Sequence, residues 1–133
     1  MSLVLAKLVP HPIFGWLGIK RKTAALVETL DDYDSQLLAF ADHSKPALSK
    51  LANAYYDGGE LSPGDARTLL GELRDLRARL ENRGMEVWPK DVLGPEVQLT
   101  NANVDRFIAT CERVCALLDI AIERQASIWI DSD

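Results

Sequence analysis

Residues 62–83 read SPGDARTLLGELRDLRARLENR and decide the predicted fold. Ser62 can cap a helix, Pro63 is tolerated in a first helical turn, and Asp65 completes a variant of the capping box. The leucines that follow recur at steps of three and four, which places them on one helical side: Leu69, Leu70, Leu73, Leu76 and Leu80. The stretch therefore predicts a firmly capped amphipathic helix over residues 63–83.

Three further apolar stripes predict helices over residues 19–43, 45–57 and 101–128. Ser44 is expected to cap the second of them, and Gly58 with Gly59 to end it. The longest stripe comprises Val104, Phe107, Ile108, Cys111, Val114, Cys115, Leu118, Ile122 and, at its end, Trp129.

The remaining segments join these helices. Residues 1–18 are interpreted as an apolar arm and residues 84–100 as an ordered crossover, because prolines and glycines interrupt both. The sequence thus predicts an all-α fold over residues 1–133, a single-domain antiparallel helical bundle of about four main helices with an apolar N-terminal arm.

Composition and charge narrow the classes of function. The chain has 133 residues, of which 47% are hydrophobic and 26% charged, as in ordinary globular proteins. Its 20 acidic and 15 basic residues give a formal charge of −5. This charge opposes binding to nucleic acid and would speed the encounter with a basic protein.

No segment carries a recognisable catalytic, metal or cofactor motif. Cys111 and Cys115 lie four residues apart without a CxxC pattern, which favours core packing in a reducing cytoplasm. His11 and His43 have no local nucleophile or carboxylate arranged as a triad. Glu112, Asp119 and Glu123 share a helix side but lack the Glu-x-x-His pairs of bundle metal sites; we interpret them as a solvated face. We therefore expect a protein that is not an enzyme and uses no cofactor or metal.

The N-terminal arm raises the question of a signal peptide or a membrane anchor. Its basic cluster, at residues 20–22, follows the apolar run instead of preceding it. Together with Phe14, Trp16 and Leu17, this cluster could form a patch for anionic lipid, although three cations give only a modest attraction. Membrane contact is accordingly not expected.

The remaining hypothesis is a non-enzymatic protein–protein interaction module. We expect it to be an inhibitor, such as a bacterial immunity protein or antitoxin, that occludes a partner such as a basic toxin or effector. The predicted partner-binding residues are acidic or aromatic: Asp31, Asp32, Asp34, Trp16, Tyr56 and Trp88. The alternative is a structural or adaptor domain that self-associates, as a homo-oligomer, through its apolar arm.

Overall fold

A computed structural model describes residues 1–10, 12–31, 34–35, 38, 45–83 and 101–132 of the chain. This part of the protein forms a four-stranded antiparallel sheet that packs against three α-helices. The strands are β1 (Ser2–Pro10), β2 (Lys20–Thr29), β3 (Gly59–Leu61) and β4 (Ile128–Asp131). The helices are α1 (Pro46–Asp57), α2 (Pro63–Arg83) and α3 (Asn101–Arg124), with a 3-10 turn at Gly15–Leu17.

The sheet makes the fold a mixed α/β fold, so the prediction of an all-α helical bundle is wrong. The predicted arm over residues 1–18 contains the strand β1, and the predicted helix over residues 19–43 contains the strand β2. These strands pair from Ser2 opposite Thr29 to Pro10 opposite Lys20, so their facing backbone groups are hydrogen-bonded across the hairpin and not within a helix. The predicted crossover over residues 84–100 lies outside the described residues.

The sheet order β2-β1-β4-β3 places the hairpin of β1 and β2 at one edge. Side chains alternate along β1, since Leu3 and Leu5 are buried whereas Ser2 and Val4 are only half-buried on the other face. In β4, Ile128 is buried in the same core. On the opposite face, a cross-strand row contains Val27, Val4, Trp129 and Glu60.

The core lies between the inner sheet face and the helices. Leu69 and Leu73 of α2 are fully buried, together with Phe107 and Cys111 of α3. Burial raises the pKa of the Cys111 thiol, so this side chain behaves as a small neutral apolar group. Cys115 is half-buried, and burial raises its pKa as well.

Ion pairs on the surface join the elements around this core. Arg77 lies 2.8 Å from Glu112, and Arg74 lies 3.3 Å from Asp119, which links α2 to α3. Arg113 of α3 reaches Glu28 of β2 at 3.0 Å. Glu112 and Asp119 therefore form ion pairs at the exposed helix surface, where each pair contributes little to stability.

The start of α2 contains the predicted capping box. The Asp65 amide donates to Ser62 Oγ at 3.1 Å, and the Ser62 amide donates to Asp65 Oδ2 at 3.0 Å. The hydrogen bond from Lys50 Nζ, 2.7 Å from Asp65 Oδ2, and that from the Ser62 amide hold the pKa of Asp65 below its usual value. The prediction of a capped helix start is confirmed here.

The start of α1 is capped by a neighbouring helix. Lys45 precedes the helix and makes no capping hydrogen bond with its side chain. The Glu72 carboxylate of α2 instead accepts hydrogen bonds from the amides of Ala47, at 3.1 Å, and Leu48, at 3.4 Å. This contact fixes α1 against α2; Ser44, the predicted cap, lies outside the described residues.

Replacing Ser62 by alanine is expected to lower the free energy of unfolding by about 1 kcal/mol, because it leaves the Asp65 amide without its acceptor. Urea denaturation of the wild type and S62A measures this loss. Ser49→Ala, at a helical position in α1, is the matched control and should change the value by less than about 0.5 kcal/mol. Equal stability of S62A and the wild type would show that the capping box contributes nothing.

Candidate functional site

A small groove lies where α1 ends and the chain turns into β3. Its volume is about 190 Å³. It is lined by Lys50, Asn53, Ala54, Asp57, Gly58, Gly59, Glu60 and Ile130. Gly58 ends the helix with a φ of 73°, and its amide donates to the Ala54 carbonyl oxygen at 2.8 Å. The pairing of β3 with β4 brings Ile130 opposite Gly59, so the groove floor is built from distant parts of the sequence.

The rim of this groove is acidic, and we call it the acidic groove. Asp57 and Glu60 are both exposed, and neither forms a side-chain ion pair within the described part of the chain. Lys50, the lining cation, pairs with Asp65 outside the groove. Tyr56 is 67% exposed and follows Asn53 by three residues, so the two side chains are neighbours on the helix surface.

The chemistry of the acidic groove suits a basic side chain. A lysine or arginine can lay its hydrocarbon stem on an apolar surface while its charge stays at the polar rim. Ala54 and Ile130 line the groove but are almost fully buried, so the main contribution comes from the carboxylates of Asp57 and Glu60, which can accept charge-assisted hydrogen bonds. The groove can therefore bind a cation presented by another molecule.

A second exposed surface lies at the turn of the β1–β2 hairpin. Its apolar side chains are 46–81% exposed and form what we call the hairpin tip: Ile13, Phe14, Trp16, Leu17 and Ile19. The Leu17 amide donates to the Phe14 carbonyl oxygen and the Gly18 amide to the Gly15 carbonyl oxygen, both at 3.0 Å. Gly18 has a φ of 80°, which favours glycine at this position.

The hairpin carries the tip away from the sheet. β4 pairs with residues 2–5 of β1, and a bulge follows between Leu5 and Ala6. Beyond it, residues 6–10 pair with residues 20–24 as a two-stranded ribbon about 17 Å long. Within the described part of the chain, the tip therefore lies at the end of the ribbon that is farther from β4.

Charge is distributed unevenly between the hairpin and the rest of the chain. Residues 1–27 contain four cations, Lys7, Lys20, Arg21 and Lys22, and no acidic residue. This segment has a formal charge of +4, which leaves −9 for residues 28–133. Since β2 and β3 are the outermost strands, the basic hairpin and the acidic groove are placed toward opposite edges of the sheet.

The predicted acidic cluster makes an internal contact. Arg106 of α3 donates to Asp34 at 2.5 Å and to Asp31 at 2.6 Å. The hydrogen bond with Asp34 is the main reason that the pKa of Arg106 is raised. Asp31 and Asp34 thus hold the segment after β2 against α3, and their charge is partly neutralised.

The other predicted site residues are distributed over the molecule. Trp16 lies at the hairpin tip and Tyr56 beside the acidic groove, whereas Asp32 and Trp88 lie outside the described residues. Asp57 and Glu60 were not among the predicted site residues. The available signal was their position on both sides of the Gly58–Gly59 pair, where the helix ends and the adjacent side chains are exposed.

Comparison with known protein families, with curated proteins and with solved structures finds no match for this chain. Across the described ranges, histidine, cysteine, aspartate and glutamate form no group of three or more that could hold a metal ion. Among those residues there is also no helix with the length and apolar character that crossing a bilayer requires.

Proposed function

We propose that this protein is a non-enzymatic protein–protein interaction module that binds its partner through the acidic groove. The observation that carries the proposal is the pair of exposed carboxylates, Asp57 and Glu60, beside an apolar floor and an exposed tyrosine, Tyr56. The proposed partner is a protein with a projecting lysine or arginine, such as a basic toxin or effector. Binding would inhibit that partner by occluding its surface.

Electrostatics supports a basic partner. Lys50 shares its charge with Asp65 and lines the groove together with Asp57 and Glu60, so the charged lining residues have a net negative charge. The net charge of −9 on residues 28–133 adds an attractive field over longer distances. Such complementarity mainly raises the association rate, and an exposed tyrosine is a common anchor of protein interfaces.

In this proposal the groove binds and does not catalyse, with Asp57 and Glu60 as hydrogen-bond acceptors for a basic side chain. A cytoplasmic location is part of the proposal and rests on Cys111 and Cys115, which are both free thiols.

Reversing the groove charge should strongly weaken partner binding. In the double variant Asp57→Lys with Glu60→Lys, the rim repels a basic partner, so association should weaken by at least about tenfold in low salt. Affinity capture from the native host, followed by binding kinetics with the retained protein, measures this change. The matched control is Asp105→Lys with Glu123→Lys, which makes the same charge change on exposed positions of α3.

The outcomes separate the hypotheses. Equal loss of binding in both double variants would show that net charge, and not the groove, governs the interaction. If the partner remains active in the complex, the protein acts as an adaptor and not as an inhibitor. Retention of untagged copies of this chain, with no other protein, would favour the self-associating alternative.

A further inference from the structure

We propose that the hairpin tip docks on a bilayer that contains anionic phospholipids, with Trp16 and its apolar neighbours in the interfacial layer. This site goes beyond the proposed function and uses a different surface, at the opposite edge of the sheet from the acidic groove. The proposal rests on the position of an exposed apolar turn directly before a basic segment of the hairpin.

The apolar part of the tip is suited to insertion. Trp16 is 81% exposed and Ile13 is 68% exposed, and tryptophan is the residue most characteristic of membrane interfaces. Residues 8–19 contain no aspartate, glutamate, lysine or arginine, so no such charge has to leave water when the tip inserts. The turn also pairs two of its own amides, at Leu17 and Gly18, which lowers the cost of moving its backbone into an apolar layer.

The basic part lies directly behind the tip. Lys20 is exposed and follows Ile19, the last apolar residue of the tip. Arg21 and Lys22 come next in β2, and Lys7 is opposite Thr23 in the paired strand. At this depth the Lys20 ammonium would meet the headgroups of anionic lipids while the apolar residues lie deeper, and the positive charge of the adjacent sequence adds to the attraction.

The rest of the molecule orients this contact. Residues 28–133 carry a charge of −9, which an anionic membrane repels, whereas residues 1–27 carry +4. The protein should therefore approach with the hairpin first. A charge arrangement of this kind has no such effect on a bilayer made of zwitterionic lipid.

The composition of the tip favours lipid over a protein cleft. Protein interfaces form about one hydrogen bond for each 100–200 Å² of buried surface. Among residues 12–19, the side chains offer one polar group, the indole N–H of Trp16. A convex, almost wholly apolar turn suits a deformable layer that requires few directed hydrogen bonds.

Vesicle co-sedimentation tests the proposal. The full chain should bind vesicles of phosphatidylcholine mixed with phosphatidylserine, and bind phosphatidylcholine vesicles at least about tenfold more weakly. The double variant Trp16→Ala with Leu17→Ala should lose about tenfold or more in affinity for the anionic vesicles. Val27→Ala, an exposed apolar position outside the tip, is the control and should bind like the wild type.

Fluorescence provides a readout that does not depend on the strength of binding. The emission of the wild type should shift to shorter wavelength on anionic vesicles because the indole of Trp16 leaves water. Trp16→Phe should still bind but lose most of this shift. Normal circular dichroism of each variant shows that it has folded.

Three results would overturn the proposal: no binding to anionic vesicles in low salt, equal binding by the Trp16→Ala, Leu17→Ala variant, or a spectral shift that survives Trp16→Phe. If vesicles do not bind and the same double variant loses a captured protein, the tip binds a protein. If the variant instead lowers the mass of the protein measured in solution, the hairpin tip binds a second copy of this chain. None of these results depends on the charge-reversal test of the acidic groove, so the two proposals can fail separately.

Discussion

Phe107→Ala is expected to lower the free energy of unfolding by about 3–5 kcal/mol. Phe107 lies in α3 with 0% exposure, in one core that also contains Leu3 and Leu5 of β1. Removal of its ring takes away buried apolar contacts and leaves a cavity that a closely packed interior refills only in part. The loss is large because this core joins the helices to the sheet.

Urea denaturation followed by circular dichroism measures the effect of Phe107→Ala. The same substitution at the hairpin tip, Phe14→Ala, is the matched control, because Phe14 is an exposed side chain. It should change the free energy of unfolding by less than about 1 kcal/mol. A similar cost at both positions would contradict the placement of Phe107 in the core.

Gly58→Ala should destabilise the protein by about 1–3 kcal/mol. The residue has a φ of 73° and a ψ of 176°, a backbone conformation that side chains oppose. A Cβ atom at this position would lie 3.1 Å from the carbonyl oxygen of Ile130, so the paired strand would also have to shift. The substitution therefore strains the turn that shapes the acidic groove.

Gly71→Ala is the control for this prediction, because it should have the opposite sign. Gly71 lies inside α2, and a Cβ atom there would meet nothing within 4 Å. Alanine should stabilise this helix by about 0.5–1 kcal/mol. Denaturation midpoints of the two variants, which change in opposite directions if the prediction holds, provide the measurement. Equal shifts would mean that the backbone at Gly58 is not under special constraint.

The helices were predictable because their signals are local. The capping box at Ser62 and Asp65, the leucine stripe after it and the glycine stop at Gly58 each lie within a few residues. The observed bounds of α1, Pro46–Asp57, and α2, Pro63–Arg83, lie at or within one residue of the predicted 45–57 and 63–83. Local hydrogen bonds and one-sided burial leave a pattern that the sequence displays directly.

The strands were missed because their partners are distant in the sequence. Leu26 and Leu30 have the spacing of a helix, yet Leu26 lies opposite Leu5 in the hairpin. The predicted final helix, over residues 101–128, ends instead at Arg124, and its last apolar residue, Trp129, lies in β4. Leu3 and Leu5 have the two-residue spacing of a strand. Because leucines are frequent throughout this chain, that spacing did not stand out, and the segment was interpreted as an irregular apolar arm.

The candidate sites were hard to predict for a similar reason, because they depend on exposure and on contacts between distant residues. The exposure of Trp16 could not be read from sequence, because an apolar run predicts burial as readily as a projecting turn. The role of Asp31 and Asp34 was hidden because Arg106, their partner, lies more than 70 residues away. The acidic groove needs the pairing of Gly59 with Ile130, which no local pattern indicates.

The position of β4 between β1 and β3 has a consequence for protein synthesis. Residues 128–131 join a strand near the start of the chain, Ser2 opposite Asp131, to a strand in its middle. While the ribosome is making the chain, the hairpin and helices can form, but the sheet cannot close until residue 131 has left the exit tunnel. Closure over such a sequence separation should make the last folding step slow, and the nascent chain exposes its apolar strands until then. We therefore expect β1 and β3 to lack their shared strand partner until β4 has been made.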